Sequence, residues 1–478
     1  MNDFVVSLLL LGALSQGGDM PFWATSGRYG IMPDTSGGLA LLQAGMPFDD
    51  GKTLQWHWGA SVGLKGETGG VTCIPDELYA GIRWKCLRLD VGLWHPEQSY
   101  LVSGSDLGTL SVTGGNIMKT GNSRSLPGYA ISLEPFDVPF TDGRLQVLGR
   151  FGDFATTDDR YVKGALVHNT EIYLRAGTGR HLTLTFGADH YTMWGGVSPV
   201  YGPLAVSAGN YLRVLTGRRG AQDSPVGDQI NALGDHRGRI LFRLDWAGTG
   251  WSASYQHDKP YEDRSSLWVY NYPDAVRTLH FSLSDKSRLL TDMVYEFHTT
   301  MNQSGPYERR LATEEEIASG SPRLYRATED SPWYYIAGGA DNYCNNYEYK
   351  SGWTHYGRQI GNPLFFSRPN GHGTWNNLLT AHHFAFAGRL FKAFPWKLML
   401  TWSRNYGCWF TEDYSYDTGS RLKEPLRQFS SCFMTEFPVL GGALGITPSV
   451  YLDLGDALPH SFAVMLTLKY NILHTPKE

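Results

Sequence analysis

The 478-residue chain is short of charge: Asp, Glu, Lys and Arg make up only 18% of it, against the ~25% usual for soluble domains. It lacks any run near the ~18 consecutive apolar residues of a membrane helix, which excludes a polytopic helical membrane protein. Mean hydropathy is −0.29, which taken alone points to solution. There is no basic block either: 41 Lys and Arg stand against 46 Asp and Glu, spread along the chain, so a nucleic-acid-binding surface is not expected. Cysteine is scarce. Cys73, Cys86, Cys344, Cys408 and Cys432 form no CxxC pair and leave one over, which indicates neither a zinc ribbon nor a full disulfide framework. No Walker loop appears, and neither GxSxG nor GxGxxG occurs in a strand–helix setting. Helical periodicity is nearly absent.

Aromatic residues, at 13%, and 56 glycines are what the chain has in excess. Many short aromatic-rich strands punctuated by Gly would account for both. At ~150 residues per domain the length suggests three soluble domains, and the alternation along the chain argues against that. In 54–65, Leu54, Trp56, Trp58, Ala60, Val62 and Leu64 alternate with polar residues or Gly. The same period of two recurs at Leu182, Leu184 and Phe186, at Ile240, Phe242, Leu244 and Trp246, and at Trp396, Leu398, Leu400 and Trp402. It is cleanest at Phe462, Val464, Leu466, Leu468, Tyr470 and Ile472.

A β-sandwich would alternate too, so connection lengths decide. Strands are expected at 4–14, 38–46, 53–66, 77–85, 87–94, 128–134, 143–153, 167–177 and 182–190. A second half follows at 237–247, 250–257, 276–284, 287–299, 379–390, 395–406, 425–436, 443–454 and 461–472. Short turns then alternate with long loops at 15–37, 95–127, 191–236, 258–275 and 300–378. That pattern predicts an all-β fold, a transmembrane antiparallel up-and-down β-barrel of about 18 strands with short periplasmic turns and long extracellular loops. One barrel domain spans 1–478, and its lumen would be porin-sized and wide enough for water. Residues 4–14 also look like a signal-peptide core, but Asp3 precedes them and no Lys or Arg does. A first strand is the preferred reading, with the export signal missing or poorly formed. Cys73 and Cys86 would flank one strand at opposite membrane faces, too far apart to pair.

Apolar positions then face lipid, and the alternate set faces the lumen. That inward set includes Arg83, Arg150, Glu171, Arg175, Arg243, Asp245 and Glu296, with His57, Arg88, Asp90 and His298. Salt bridges that stiffen the wall are the plain reading; a polar track for a solute or glycan is the sharper one. In loop 300–378, Asn342, Tyr343, Tyr347, Trp353, Tyr356 and Arg358 mix aromatic faces, which stack on sugar rings, with hydroxyl-binding groups. Trp194 joins them as a candidate at the mouth. The same residue types also serve a loop's own packing and turns. His190 and His382-His383 lack metal-ligand partner spacing, so no metal and no cofactor is expected.

Several segments together resemble the Wzi-type capsule assembly proteins of Gram-negative outer membranes. They include Pro21-Phe22-Trp23, Glu77-Leu78-Tyr79-Ala80-Gly81-Ile82-Arg83, Gly121-Asn122-Ser123-Arg124 and Met193-Trp194-Gly195-Gly196. Asp158-Asp159-Arg160-Tyr161, Ser351-Gly352-Trp353-Thr354-His355-Tyr356-Gly357-Arg358, Gly361-Asn362-Pro363-Leu364 and Ser403-Arg404-Asn405-Tyr406-Gly407 continue the series. The chain looks most like the version in Bacteroidetes-type genomes. The resemblance implies an outer-membrane, lectin-like barrel without catalysis that helps capsular polysaccharide attach and assemble at the cell surface. Its implied partners are capsular or other surface polysaccharide, outer-membrane lipid and the polysaccharide export machinery, with a monomer expected. Family members carry a plugging helical bundle near the N-terminus. No helix-periodic stretch occurs there in this chain, so inward-folded loops must plug the lumen or leave it more open. A diffusion channel for small polar solutes or oligosaccharides is the alternative function, and an outer-membrane hydrolase a third.

Overall fold

The computed structural model describes residues 4–48, 53–95, 107–177, 181–230, 232–262, 264–267, 269–305, 309–320, 324–326, 330–337, 341–410 and 421–474. Parts of the expected loops 95–127 and 300–378 lie outside the described residues. The wall begins with β1 (Val5–Gln16), β2 (Gly37–Met46), β3 (Leu54–Glu67), β4 (Gly70–Trp84), β5 (Leu87–Leu93) and β6 (Gly128–Asp137). It continues with β7 (Leu145–Ala155), β8 (Leu166–Gly177), β9 (Leu182–Trp194), β10 (Asp235–Gly248), β11 (Trp251–Tyr261) and β12 (Ala275–Leu283). The last six are β13 (Asp292–Thr299), β14 (Leu379–Leu390), β15 (Phe394–Gly407), β16 (Arg421–Thr435), β17 (Leu444–Gly455) and β18 (Ser461–His474). The three-residue strand Phe437–Val439 adds a lip to β17. Each wall strand pairs antiparallel with its neighbours in sequence. β1 pairs with both β2 and β18, which closes the sheet and leaves no edge.

The fold is therefore an all-β, 18-strand closed antiparallel barrel. Connections at one end are short: 85–86, 249–250 and 391–393 are examples. At the other end lie the connections 94–127, 195–234 and 300–378. This asymmetry is the mark of outer-membrane barrels, whose long loops face outward. On β3, Leu54, Trp56, Val62 and Leu64 are exposed while Gln55, His57 and Ser61 are buried, so the period-2 pattern sets the outer and inner faces.

Three local expectations shift. β4 begins at Gly70 rather than 77, because a two-residue link joins it to β3, and a bulge at Asp76 interrupts the alternation that would have marked its start. Cys73 therefore lies inside β4 and Cys86 in the β4–β5 turn; all five cysteines are free. β13 begins at Asp292 rather than 287, after the turn in which the Leu283 amide donates to Thr291 O at 2.8 Å.

The lumen is packed by chain rather than left wide for water. Three loop segments meet inside the wall: 17–36 with α1 (Phe22–Thr25), 107–127, and 341–377. Leu110, Ile117, Met118 and Trp353 are buried there with Phe22 and Trp23, forming an apolar core of the kind found inside soluble proteins. Inward residues of the last strands and the first two match it, among them Leu39, Leu41, Met399, Met434 and Met465. A cavity of about 60 Å³ remains beside Lys119, Arg150 and Trp353.

Candidate functional site

The polar half of the wall grips the backbone of the plug. Glu296 on β13 accepts from Ser111 Oγ at 2.6 Å and from the Val112 amide at 2.7 Å. Asp258 on β11 accepts from the Ile117 amide at 2.8 Å, and Asp189 on β9 from Asn116 Nδ2 at 2.7 Å. Arg239 on β10 binds Asp189 at 2.7 Å and Asp258 at 3.2 Å and donates to Gly115 O. His383 on β14 donates to Leu110 O at 3.0 Å, and Lys397 on β15 to Thr109 O at 3.2 Å. A loop inside a barrel has few secondary-structure partners of its own, so its N–H and C=O groups must be satisfied by wall side chains. The third segment locks onto the second: the Asn362 amide donates to Ile117 O at 2.9 Å and Trp353 Nε1 to Met118 O at 2.6 Å.

The predicted inward residues divide by depth. Glu171 and Arg150 face each other at 3.7 Å, and Lys119 of the plug sits 3.4 Å from Glu171. Toward the short-turn end, Arg83 donates to Gln55 at 3.1 Å and reaches Glu134 at 3.4 Å, Arg175 donates to Gln146 at 3.5 Å, and Arg243 pairs with Asp245 at 2.7 Å. His57 contacts Asp90 at 2.6 Å, which Arg88 holds at 2.7 Å. His298 lies 3.5 Å from Glu296. These charges pair with the wall or the plug.

At the long-loop end the plug leaves a cleft of about 470 Å³ between segments 19–34, 356–375 and 457–461, a size typical of ligand sites. Tyr356, Phe366 and Trp375 supply aromatic surface; Asp34, Arg358 and Gln359 supply polar groups. Thr354–His355 pairs with Arg358–Gln359, so Tyr356 and Gly357 are the two tip residues of a hairpin. Their φ angles are 50° and 74°, as a primed two-residue turn demands. Gly adopts this freely, whereas the tyrosine does so at a conformational cost. The Tyr356 amide donates to Asp158 at 2.9 Å, the Arg124 guanidinium lies 4.2 Å from the ring centroid, and the residue stays 45% exposed. Arg358 pairs with Asp34 across the cleft. Two acceptors of the lining, Gln359 Oε1 and Asp453 Oδ1, are buried without a donor among the described residues.

The candidates read from sequence are not brought together as a set. Tyr356 and Arg358 line the cleft. Asn342 accepts from Asn345 at 2.9 Å and Asn377 at 2.7 Å, bracing a turn. Tyr343 is fully buried, donating to Asp274 at 3.1 Å. Trp353 is buried against the plug, and Tyr347 is exposed elsewhere, beside Gly227. Trp194 points to the outer side of the wall and packs with Tyr211, Val214 and Leu233, away from the mouth. Phe366, Trp375, Asp34 and Gln359 were missed. The one local signal was the Tyr-Gly pair flanked by residues able to form a hairpin.

Asp76, Glu77 and His95 also converge, with ligand atoms within 4.8 Å of one another. The bulge at Asp76 turns two successive carboxylates inward. Each group already has a partner: Ser61 Oγ donates to Asp76 at 2.9 Å, His95 Nε2 lies 2.8 Å from Asp76, and the His95 amide donates to Glu77 at 2.9 Å. Tyr29 stacks on His95 at 3.6 Å, and burial beside these carboxylates pushes its hydroxyl up to about 12. Through His95 the trio ties the start of the β5–β6 connection to Tyr29 of segment 17–36.

The closed 18-strand barrel resembles the fold of Wzi. The Escherichia coli outer-membrane protein Wzi, involved in group 1 capsule assembly and described as a carbohydrate-binding β-barrel, superposes with a TM-score of 0.57. Identity to Wzi is 12% over 98% of this chain and 84% of that one, so the likeness is one of fold. OccK5 and OccD3 of Pseudomonas aeruginosa align at TM-scores of 0.46 and 0.48, with 10% and 7% identity. Those alignments cover 99% and 98% of this chain and 98% and 92% of theirs. No family model and no curated protein matches the sequence.

Proposed function

We propose that this barrel is a lectin-like surface anchor that binds capsular polysaccharide at its outward mouth and helps it attach and assemble there. The observation that carries the reading is the cleft in which Tyr356, held at positive φ on its hairpin tip, stands near Trp375 and the Arg358–Asp34 pair. Aromatic faces take the apolar side of a pyranose ring, while the carboxylate, guanidinium and unpartnered acceptor oxygens take its hydroxyls. The preformed and plugged scaffold keeps the ordering cost of binding low. Kinship in fold to a carbohydrate-binding capsule barrel supports the same reading. The segments that fill the lumen weigh against the diffusion-channel alternative. No catalytic step is proposed, and the export machinery enters only as the source of polymer.

The test is binding of purified native capsular polysaccharide to the full-length protein in detergent, with Tyr356→Ala, Arg358→Ala and Trp375→Ala measured beside wild type. Each truncation is expected to weaken binding roughly tenfold, about 1.4 kcal/mol, with the folded barrel intact. Failure of wild type to bind, or equal binding by all variants, refutes the proposal. Retention of capsule on cells lacking the gene would do so independently.

A further inference from the structure

Part of the connection between β9 and β10, around residues 207–217, folds back over the outside of the wall, while Leu204 and Gly227 pack toward the plug. Parity along the strands establishes this. Ile131, Ile172, Phe186 and Phe242 are exposed toward lipid, so Asp153, His168, His190, Trp194 and His236, in phase with them, also point outward. Tyr211 of α2 (Ala208–Thr216) covers Asp153, His168 and Trp194, while His236 bonds Leu233 O and pairs with His190. Tyr211 OH donates to Asp153 at 2.7 Å, its ring meets Trp194 at 5.6 Å, and Val214 is fully buried between Trp194 and Leu233. The helix is well terminated: Ser207 Oγ accepts from the Asn210 amide at 3.1 Å, and Gly217, at φ 59°, caps the C-terminus.

Its other face has no protein partner among the described residues. Leu212 is 62% exposed, and Val200 and Val206 of the same connection are exposed as well. Arg213 is half-buried and Arg218 and Arg219 are exposed, and none of the three has a carboxylate partner among the described residues. The acidic residues of the connection are Asp223 and the buried Asp228. This surface sits at the long-loop end of β7–β10, beyond the exposed apolar residues of those strands. An amphipathic helix with exposed apolar residues and arginines, continuous with a lipid-facing wall, is built for an interface carrying negative charge.

We infer that α2 and the Arg213, Arg218 and Arg219 cluster form a binding site for a phosphorylated outer-leaflet glycolipid of the lipid A class. Leu212 and Val206 enter its acyl layer and the guanidinium groups take its phosphates. Arginine suits this role because its planar fork binds phosphate bidentately. The site would seat the barrel at a fixed depth and rotation in the leaflet from which the capsule is displayed.

The experiment titrates diphosphoryl lipid A onto the full-length protein in detergent, followed by native mass spectrometry. The combined substitution Arg213→Ser, Arg218→Ser and Arg219→Ser is expected to weaken binding on the order of 100-fold, from about fivefold per arginine. Lys392→Ser at the opposite end should leave it unchanged. Leu212→Asp, which keeps all three arginines, should also weaken it by removing the acyl contact. Millimolar inorganic phosphate should not displace the lipid. Equal affinity of the triple variant and wild type, unaltered binding by Leu212→Asp, or displacement by phosphate alone each overturns the inference. Polysaccharide binding at the mouth provides the folding control.

Discussion

Replacing Glu296 should release the plug without opening the wall. Its buried carboxylate accepts from Ser111 Oγ at 2.6 Å, the Val112 amide at 2.7 Å and Thr278 Oγ1 at 3.1 Å. In Glu296→Leu the two hydroxyls can turn toward other acceptors, but the Val112 N–H cannot. Leaving that donor orphaned costs about 1–3 kcal/mol, and losing the charge-assisted bond to Ser111 adds about 1 kcal/mol. A total near 3 kcal/mol corresponds to amide exchange roughly 100-fold faster where local opening governs it. Glu296→Gln keeps an acceptor for Val112 and loses only the charge, about 1 kcal/mol, so its acceleration should be near fivefold. Hydrogen exchange read by mass spectrometry on peptides covering 107–120, with β18 peptides as internal reference, measures both. If 107–120 exchange at the wild-type rate in both variants, or if Gln exceeds Leu, the clamp is not what holds the plug.

Leu466 is exposed on the outer face of β18, so Leu466→Lys should destabilise the barrel in bilayers by ~2–4 kcal/mol; Thr467→Lys should be far milder, and equal losses in urea titration would contradict the facing. Burial, reinforced by Asp228, raises the Glu348 carboxyl from 4.5 to about 7, and both its oxygens lack partners among the described residues. A raised folded-state pKa contributes stability below the unfolded value that is lost as pH rises through the folded one. Packing of the Glu348 region against α3 (Val226–Ile230) should thus be tightest below pH ~4.5 and loosen by pH ~7–8. Glu348→Gln should confine that loosening to the window of Asp228, whose carboxyl sits at about 6. Limited proteolysis of 195–234 across this range checks it, and an unaltered pH profile in the variant would refute it.

Alternation is a local property, and it carried the architecture. Strands such as 461–472 and 54–65 declare an outer and an inner face within a dozen residues, because β side chains switch sides at each step. The lengths between strands then assigned the two ends. Where local pattern failed, a tertiary cause is visible. The bulge at Asp76 broke the phase that would have marked the start of β4. Leu39 and Leu41 are buried inside while Leu42 meets lipid, so β2 reads as a continuous apolar run. His190 and Trp194 keep the outward phase, yet Trp194 is screened by a helix folded back over the wall and His190 pairs with His236.

The site was less legible than the wall. Tyr356 and Arg358 reach the mouth, whereas Asn342, Tyr343 and Trp353 brace the loops, because residues that bind sugars are also those that stabilise turns and cores. From the sequence alone came the closed barrel, its strand number and which end carries the long loops, since these follow from spacing along the chain. Only the tertiary structure decided that the lumen is filled, that Glu296 holds Ser111 and Val112, and that Asp34 joins Arg358 in one cleft. Those partners lie 185, 184 and 324 residues apart in sequence. Their meeting depends on the path each loop takes through the barrel, which no periodicity within a strand encodes.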